Sequence, residues 1–339
     1  MTYLSYVVRR ILTIAPTLIG LSIVLFFLTR ALPGDPARLA LGPRATIEEV
    51  AQLRHLWGLD QPLYIQYYQF LTGIFHGSLG VSLESRQDVV MDLKTFLPAT
   101  IELTTLAIAL AVVIAVPLGV VSATHKDKWP DHFSRVFALA GVSLPDFWMA
   151  IMLTVIFGSW LALLPIGGRL SPQLSPPPSV TGSFLIDSLL AGNPTDFVNA
   201  FEHIILPAFV LSLPSIANIA RVTRSTMIDQ SSKDYVLTEY ASGLPSFLVT
   251  YKYMLKNAFA PTLTLIALQY STAFAGAVVI EYVFGWPGVG QYLAYAILSK
   301  DINAVTGVAL VVGTIISVAN TVADLAYAWL DPRIRFRQV

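Results

Sequence analysis

Four carboxylates lie in or at the edges of long apolar runs: Glu102, Asp146, Glu281 and Asp324. An ionised carboxylate is expensive in lipid and generally faces the protein interior or a water-filled path. Its chemistry there is proton exchange, cation pairing or hydrogen bonding between helices. Glu102, Glu281 and Asp324 fall near the end of a run, within reach of an interface. Asp146 follows Pro145, which frees backbone groups that then need partners. Gln269 and Thr272 place further polar groups inside another run. Asp146, Gln269, Thr272 and Glu281 are therefore candidates for lining a translocation path. Helix-to-helix hydrogen bonding accounts for the carboxylates at least as well, and close packing alone explains most of the Gln269 and Thr272 run. Thr262, Thr264, Ser271, Ala273, Ala275, Gly276 and Ala277 are the small residues that let helices approach. A stand-alone proton-coupled carrier using Asp146 or Glu281 is one function these positions allow.

Other chemistry is poorly supported. No G-x-x-x-x-G-K-[ST] occurs, so the chain has no P-loop with which to cradle ATP. Gly80-Val81-Ser82 and Gly141-Val142-Ser143 each stop short of G-x-S-x-G. The histidines His55, His76, His125, His132 and His203 form no HExxH or other close ligand spacing, and cysteine is absent. Neither a catalytic residue, a metal site nor a bound cofactor is expected. The 21 basic and 21 acidic residues balance, which gives nucleic acid no support as a partner.

The elements that must position these residues are membrane helices. Of 339 residues, 55% are hydrophobic and 12% charged, against about 25% charged in soluble domains. A spanning helix needs about 20 apolar residues. Six runs meet or approach this: Ile11–Thr29, Leu103–Thr124, Phe147–Gly168, Ile204–Ala220, Asn257–Ile280 and Ile302–Ala323. The third is expected to start near Val136 and to carry Asp146 inside it. The first is too long for a signal-peptide core and is followed by Leu32-Pro33-Gly34-Asp35-Pro36 rather than a small-residue cleavage site. It is expected to stay as an anchor.

Lys and Arg placement sets the orientation. With the N-terminus inside, the inner segments hold Arg9, Arg10, Lys126, Lys128, Arg135, Arg221, Arg224, Lys233, Lys252 and Lys256, and then Arg333, Arg335 and Arg337. The short outer loops hold only Arg169 and Lys300. Six spans put both termini in the cytoplasm. The chain then divides into a tail with the first span (1–30), an external helical segment (31–98), a core (99–330) and a tail (331–339). The core includes a cytoplasmic hairpin at 222–257.

The external segment contains a capping box, Thr46 and Glu49, ahead of Ile47, Val50, Leu53 and Trp57 on one helix face. Gly58 ends that helix and Pro62 opens an aromatic-rich second one. The two could rest on a membrane surface, touch a neighbouring subunit or cover the span tops. The proline-rich stretch between Pro165 and Glu202 is expected to be irregular.

The polar segment Asp234–Pro261 sits between two apolar runs. Asp234 is expected as N-cap, Tyr235–Ser242 as a short helix, Gly243 as its left-handed C-terminal residue and Pro245 as a stop. A rigid helix with defined ends on the cytoplasmic side suits a partner, though a solvated loop also fits.

In order along the chain, RRILTIAPTLIGLSIVLFFLTRALPGDPA, GLDQPLYIQYYQFL, GSLGVS, LPATIELTTLAIALAVVIAVPLGVVSA, SLPDFW, HIILPAFVLSL, DYVLTEYASGL, KNAFAPTLT, EYVFGWPGVGQ and DPRIRFR resemble a known family over nearly the whole length. The family is the permease subunits of binding-protein-dependent ABC importers, in the dipeptide, oligopeptide and nickel branch. The resemblance is to the first of two paired permeases. It implies an all-α membrane protein of six transmembrane helices with the type I ABC importer permease fold, in the inner (plasma) membrane of a prokaryote.

It also implies partners: a sister permease, two ABC ATPase subunits that bind ATP and Mg, and an external substrate-binding protein. The short helix becomes the family's coupling element, seated in an ATPase cleft. Asp234, Tyr235, Thr238, Glu239, Tyr240, Ala241, Ser242, Gly243 and Leu244 are its expected contacts. The E-A-A pattern falls on Glu239, Tyr240 and Ala241. Tyr240 stands where a small or basic residue is usual, and Ser242 where Lys is common. The cargo implied is a peptide, a nickel chelate or an oligosaccharide.

Overall fold

The computed structural model describes residues 3–31, 36–42 and 44–330. Residues 32–35 of the LPGDP exit and the DPRIRFR tail within 331–339 lie outside the described residues. Among the described residues the secondary structure is helical, with one isolated bridge between Val81 and Asp88.

Helix α1 (Tyr3–Ala31) leads to three short helices, α2 (Pro36–Leu41), α3 (Ile47–Leu56) and α4 (Leu63–Phe75). Helix α5 (Val89–Thr124) opens where the Asp88 carboxylate accepts from the Val90 N–H at 2.9 Å. Then come α6 (Trp129–Ser143) and α7 (Asp146–Leu153), which continues as π-helix over Thr154–Trp160. Helix α8 (Phe184–Leu190) precedes α9 (Pro194–Ser231), capped by the Asn193 side chain on the N–H groups of Thr195 and Asp196. Next is α10 (Asp234–Ala241). Helix α11 (Ser246–Leu248) runs through a π-helical stretch, Val249–Met254, into α12 (Leu255–Val283). Helices α13 (Val289–Leu298) and α14 (Ile302–Leu330) complete the order.

Helix α9 is the hub, packed against α5, α12 and α6. Burial along most of its length follows: Ile204, Val210, Ile216 and Ile219 are fully inaccessible. Small residues set the spacing. A Cβ on Gly119 of α5 would lie 2.8 Å from the Ala220 carbonyl oxygen of α9, so only glycine permits that approach. Helix α14 packs on α12, and α1 packs on α14 at the edge of the bundle. Tyr67 and Phe70 of α4 sit against Phe26 of α1, and the Tyr67 hydroxyl meets Ser22 at 2.9 Å.

Helix α5, α9, the continuous helix Ser246–Val283 and α14 are long and apolar enough to cross a bilayer. At 1.5 Å per residue, a 36-residue helix such as α5 is about 54 Å long, so it reaches beyond a hydrocarbon core of about 30 Å. The pair α6–α7 makes a fifth span if counted as one, and α1 holds a shorter apolar stretch, Leu12–Leu28.

The third expected span differs from its sequence outline. The helix breaks at Leu144–Pro145 and the two halves meet at 104°. Pro145 pushes Leu144 into extended backbone. Helical structure ends at Trp160 rather than Gly168. Asp146 therefore begins a helix instead of lying within one. The stretch before α8 is irregular, as its prolines suggest. Helix α8 itself was not anticipated. In α3 the Thr46–Glu49 capping box is present in both directions, but Ile47 and Trp57 on the expected apolar face are exposed.

Candidate functional site

The ends of the bundle are built differently. At one end, α9 stops at Ser231 and α10 follows after two residues. Lys233 is the N-cap, in extended backbone and without a side-chain bond. Asp234 is thus the first helical residue rather than the cap, and its carboxylate faces the positive end of the helix dipole. Ser231 and Ser232 bond back to α9 carbonyls, which ends that helix and leaves Lys233 to turn the chain.

The C-terminal end of α10 is a Schellman motif. The Leu244 N–H reaches the Glu239 carbonyl at 3.3 Å, and the Gly243 N–H reaches Tyr240 at 3.0 Å. Gly243 has φ +79°, a conformation in which a side chain costs about 1–2 kcal/mol. Pro245 then caps the following helix.

One face of α10 is anchored. Val236 is buried with Met227, Val249, Met254 and Val120, and Tyr235 and Leu244 pack beside them. The Tyr235 hydroxyl donates to Gln230 at 2.9 Å, so this tyrosine ties α10 to α9. The other face is bare. Leu237 is 65% exposed and Tyr240 44%. Thr238, Ala241, Ser242 and Gly243 are also exposed, while Glu239 is half-buried. Thr238 and Ser242 turn their hydroxyls inward onto carbonyls of the same helix. Just beyond, the Phe247 and Tyr251 rings meet at a tilt of 38° with centroids 4.7 Å apart, both exposed. The short helix is thus held rigidly on one side, with Leu237 and Tyr240 offered on the other.

At the opposite end, carboxylates are buried and consumed. Glu281 is inaccessible to solvent. It accepts from the Thr100 hydroxyl at 2.6 Å and from the backbone N–H groups of Gly290 and Gln291 at 2.7 and 3.0 Å. These are first-turn donors of α13, so Glu281 caps that helix from α12. The Thr100 hydroxyl in turn accepts from Val289 N–H, and the Trp286 indole donates to Ala99. A Cβ on Gly288 would lie 2.4 Å from the Glu281 carboxylate, and one on Gly290 would lie 2.4 Å from Val278 Cα. This explains the glycine spacing of EYVFGWPGVGQ.

Glu102 accepts from Arg169 at 2.5 Å, Ser183 at 2.7 Å and the Leu185 N–H at 2.8 Å. The Arg169 guanidinium lies over the Phe184 ring, 3.7 Å from its centroid. Asp301 takes the Ser82 hydroxyl and the Leu83 N–H, both at 2.6 Å, which fastens the GSLGVS segment to the start of α14. Asp187 gathers N–H groups from Val180, Thr181 and Gly182. Burial opposes its charge, but these donors together hold its carboxyl below the usual carboxylate range.

The four candidate path residues are not joined by any hydrogen bond. Asp146 opens α7 at the bend, half-buried. Gln269 is buried and accepts from Ser215 at 3.4 Å. Thr272 is exposed and bonds to the Leu268 carbonyl. A cavity of about 700 Å³ opens between α5 and α8, lined by Lys94, Ile101, Glu102, Thr105 and Ile186 among others, and none of the four lines it. Asp324 pairs with Arg10, joining α14 to α1. The partners of Glu102 and Glu281 were not foreseeable from spacing, since they are non-local. Among the described residues, no group of three or more His, Asp or Glu assembles as a metal site.

The fold defines a multi-pass helical membrane protein in which the short helix α10 leaves one face exposed. Residues 115–336 match the family described as binding-protein-dependent transport system inner membrane component. Residues 3–104 match the N-terminal component of the same systems. The chain belongs to this family. It is similar to a probable D,D-dipeptide transport system permease protein of Escherichia coli (strain K12), with 42% identity over 98% of both chains. It is also similar to a dipeptide transport system permease protein of Alkalihalophilus pseudofirmus, 38% identical over 98% of this chain and all of the relative. A glutathione transport system permease protein of Escherichia coli O6:H1 is 31% identical over 98% of this chain and all of that one.

Proposed function

We propose that the chain is the first permease subunit of an ATP-driven importer for dipeptides or short oligopeptides. It pairs with a sister permease in the inner membrane and receives cargo from an external binding protein. Two ABC ATPase subunits, which bind ATP and Mg, attach from the cytoplasm. The protein itself is not an enzyme. The observation that carries this is α10: a rigid helix closed by Gly243, exposing Leu237 and Tyr240, on a chain without a P-loop.

The Lys and Arg bias puts α10 and both termini in the cytoplasm. The six spans are then α1, α5, the broken pair α6–α7, α9, α11–α12 and α14. Asp234, Tyr235, Thr238, Glu239, Tyr240, Ala241, Ser242, Gly243 and Leu244 form the coupling element. Closure of the ATPase pair displaces α10, and α9 and α12 carry that displacement to the path. Such a switch works by differential contacts in the two states. Asp146, Gln269 and Thr272 remain the candidate path residues. Glu281 belongs with them only in a state where its α13 contacts open.

Peptide cargo is favoured because all three relatives described above are named for peptide-like solutes. Nickel chelates and oligosaccharides are the alternatives within the same machinery. The proton-coupled carrier loses ground because the Glu281 carboxylate already caps α13.

Reconstitution of the whole complex in proteoliposomes tests this. Dipeptide uptake should require ATP, both ATPase subunits and the binding protein. Uptake by the permeases alone under a proton gradient would instead establish the carrier.

A further inference from the structure

Asp131, in the first turn of α6, has a side chain with no solvent exposure. Five donors converge on it. Arg224 of α9 supplies Nε at 2.7 Å to one oxygen and Nη2 at 2.8 Å to the other. The Ser122 hydroxyl of α5 donates at 2.5 Å, the Asp127 N–H at 3.0 Å and Arg135 at 2.9 Å. One carboxylate thus joins the end of α5, the start of α6 and the last turns of α9. Arg224 lies seven residues before Ser231, where α9 ends ahead of α10, about 10 Å along the axis. Beyond the clasp, α6 runs to the 104° bend at Leu144–Pro145.

We propose that the Asp131–Arg224 clasp locks α6 to α9, so that displacement of α10 is delivered as a rigid-body swing of α6 about the Leu144–Pro145 bend. This rests on α10 being the coupling element. The physical basis is the geometry of the pair. A bidentate guanidinium–carboxylate contact fixes orientation as well as distance. Breaking a buried pair leaves an uncompensated charge, so sliding at this joint is strongly opposed. The bend carries no comparable tie among the described residues: the Leu144 N–H closes α6 on Ala140, the Trp148 and Met149 N–H groups open α7 on the Pro145 carbonyl, and no ion pair or hydrogen bond joins the two helices across it. Motion entering at the end of α9 therefore reaches a joint where only the Leu144–Pro145 backbone connects α6 to α7. Asp131 and Arg224 are positioning residues that act through the helices they hold.

The absence of native cysteine makes the lock testable. A Cβ on Gly141 of α6 would lie 3.8 Å from the Leu213 Cβ of α9, which matches the mean Cβ separation of disulfides, about 3.8 Å, and 3.2 Å from the Leu213 carbonyl oxygen, which must give by a few tenths of an ångström. The chain carrying Gly141→Cys and Leu213→Cys is assembled with its sister permease, both ATPases and the binding protein. Uptake and ATP hydrolysis are then followed oxidised and reduced. Because α6 and α9 move together, the disulfide should form readily. Oxidised uptake should stay within about twofold of the reduced value, as the cross-link adds no constraint.

Asp131→Asn should keep ATPase attachment while lowering solute imported per ATP hydrolysed by about tenfold, because the clasp is loosened. Oxidising the cysteine pair in the Asp131→Asn background should restore that ratio. A simple folding defect would lower attachment and uptake together and would not respond to oxidation. The proposal is overturned if oxidation abolishes uptake in the Asp131 chain, or if Asp131→Asn leaves the ratio unchanged. Failure of the unsubstituted complex to import with ATP would sink the importer reading itself, independently of the clasp.

Discussion

The two ends of the bundle solve the same problem, ending helices without stranding polar groups, in opposite ways. Around α13, the solution is remote. Glu281, Glu102, Asp301 and Asp187 are buried, and each draws backbone donors from residues outside its own turn of helix. Around α10, the solution is local. A Schellman turn and inward-bent hydroxyls close the helix with groups a few residues away. A locally closed helix needs only one face for its own stability. Its other face is free to meet a partner. The remote networks leave no such freedom: they brace loops against spans and fix the frame against which the opposite end can move.

This contrast predicts a gradient of sensitivity. The largest effect belongs to Glu281→Ala. It leaves the Thr100 hydroxyl and the N–H groups of Gly290 and Gln291 unpaired in a dry site. The expected loss is about 3–5 kcal/mol, by analogy with removing one partner of a buried charged contact. A large drop in the thermal midpoint in detergent checks it, and a change no bigger than that of a surface substitution would contradict it.

Asp187→Asn comes next, at about 1–2 kcal/mol, since the amide keeps the shape but weakens the charge-assisted bonds. Its pH dependence follows from sign. The folded carboxyl is held below its ordinary value. The stabilisation is therefore complete above the unfolded value of about 4 and fades as pH falls through the folded one. Midpoints of the parent and Asp187→Asn should converge in acid below pH ~4; a gap that widened there would show the opposite linkage.

At α10 the effects on folding are no larger, and they fall away on its exposed face. Gly243→Ala should cost about 1–2 kcal/mol because the residue sits at positive φ. Chemical denaturation or thermal scans resolve that difference, and no loss would mean the turn relaxes. Leu237→Ala and Tyr240→Ala should change stability by under about 0.5 kcal/mol, as exposed surface sites do.

Locally closed features were also the legible ones. Gly243, Pro245 and the Thr46–Glu49 box follow short-range rules, and the structure places a left-handed turn, a stop and a capping box there. Asp234 missed by one position because Lys233 has the extended backbone that a cap needs, while Asp is favoured both as a cap and in the first turn, so its type does not separate the two. The helix break at Pro145 was hidden by hydrophobicity. Apolar residues continue on both sides, so the run looks unbroken although the backbone turns by 104°. Helix α8 is too short and too dependent on Ser183 and Asp187 to stand out amid prolines. The settings of Glu102 and Glu281 were out of reach for a different reason. Their partners lie up to 181 residues away, and hydrophobic periodicity carries no information about such pairs. On the expected face of α3, Ile47 and Trp57 are left uncovered by the described residues, although its periodicity is clear.

The central claim is that the bare face of α10 is where the ATPase attaches. The direct measurement is ATPase binding to the assembled permease pair with Leu237→Ala and Tyr240→Ala together, read alongside thermal stability and ATP-driven uptake. Loss of two exposed anchors should weaken attachment by at least about tenfold and reduce uptake with it, while the thermal midpoint stays at the parent value. Full attachment and uptake by that chain would contradict the account.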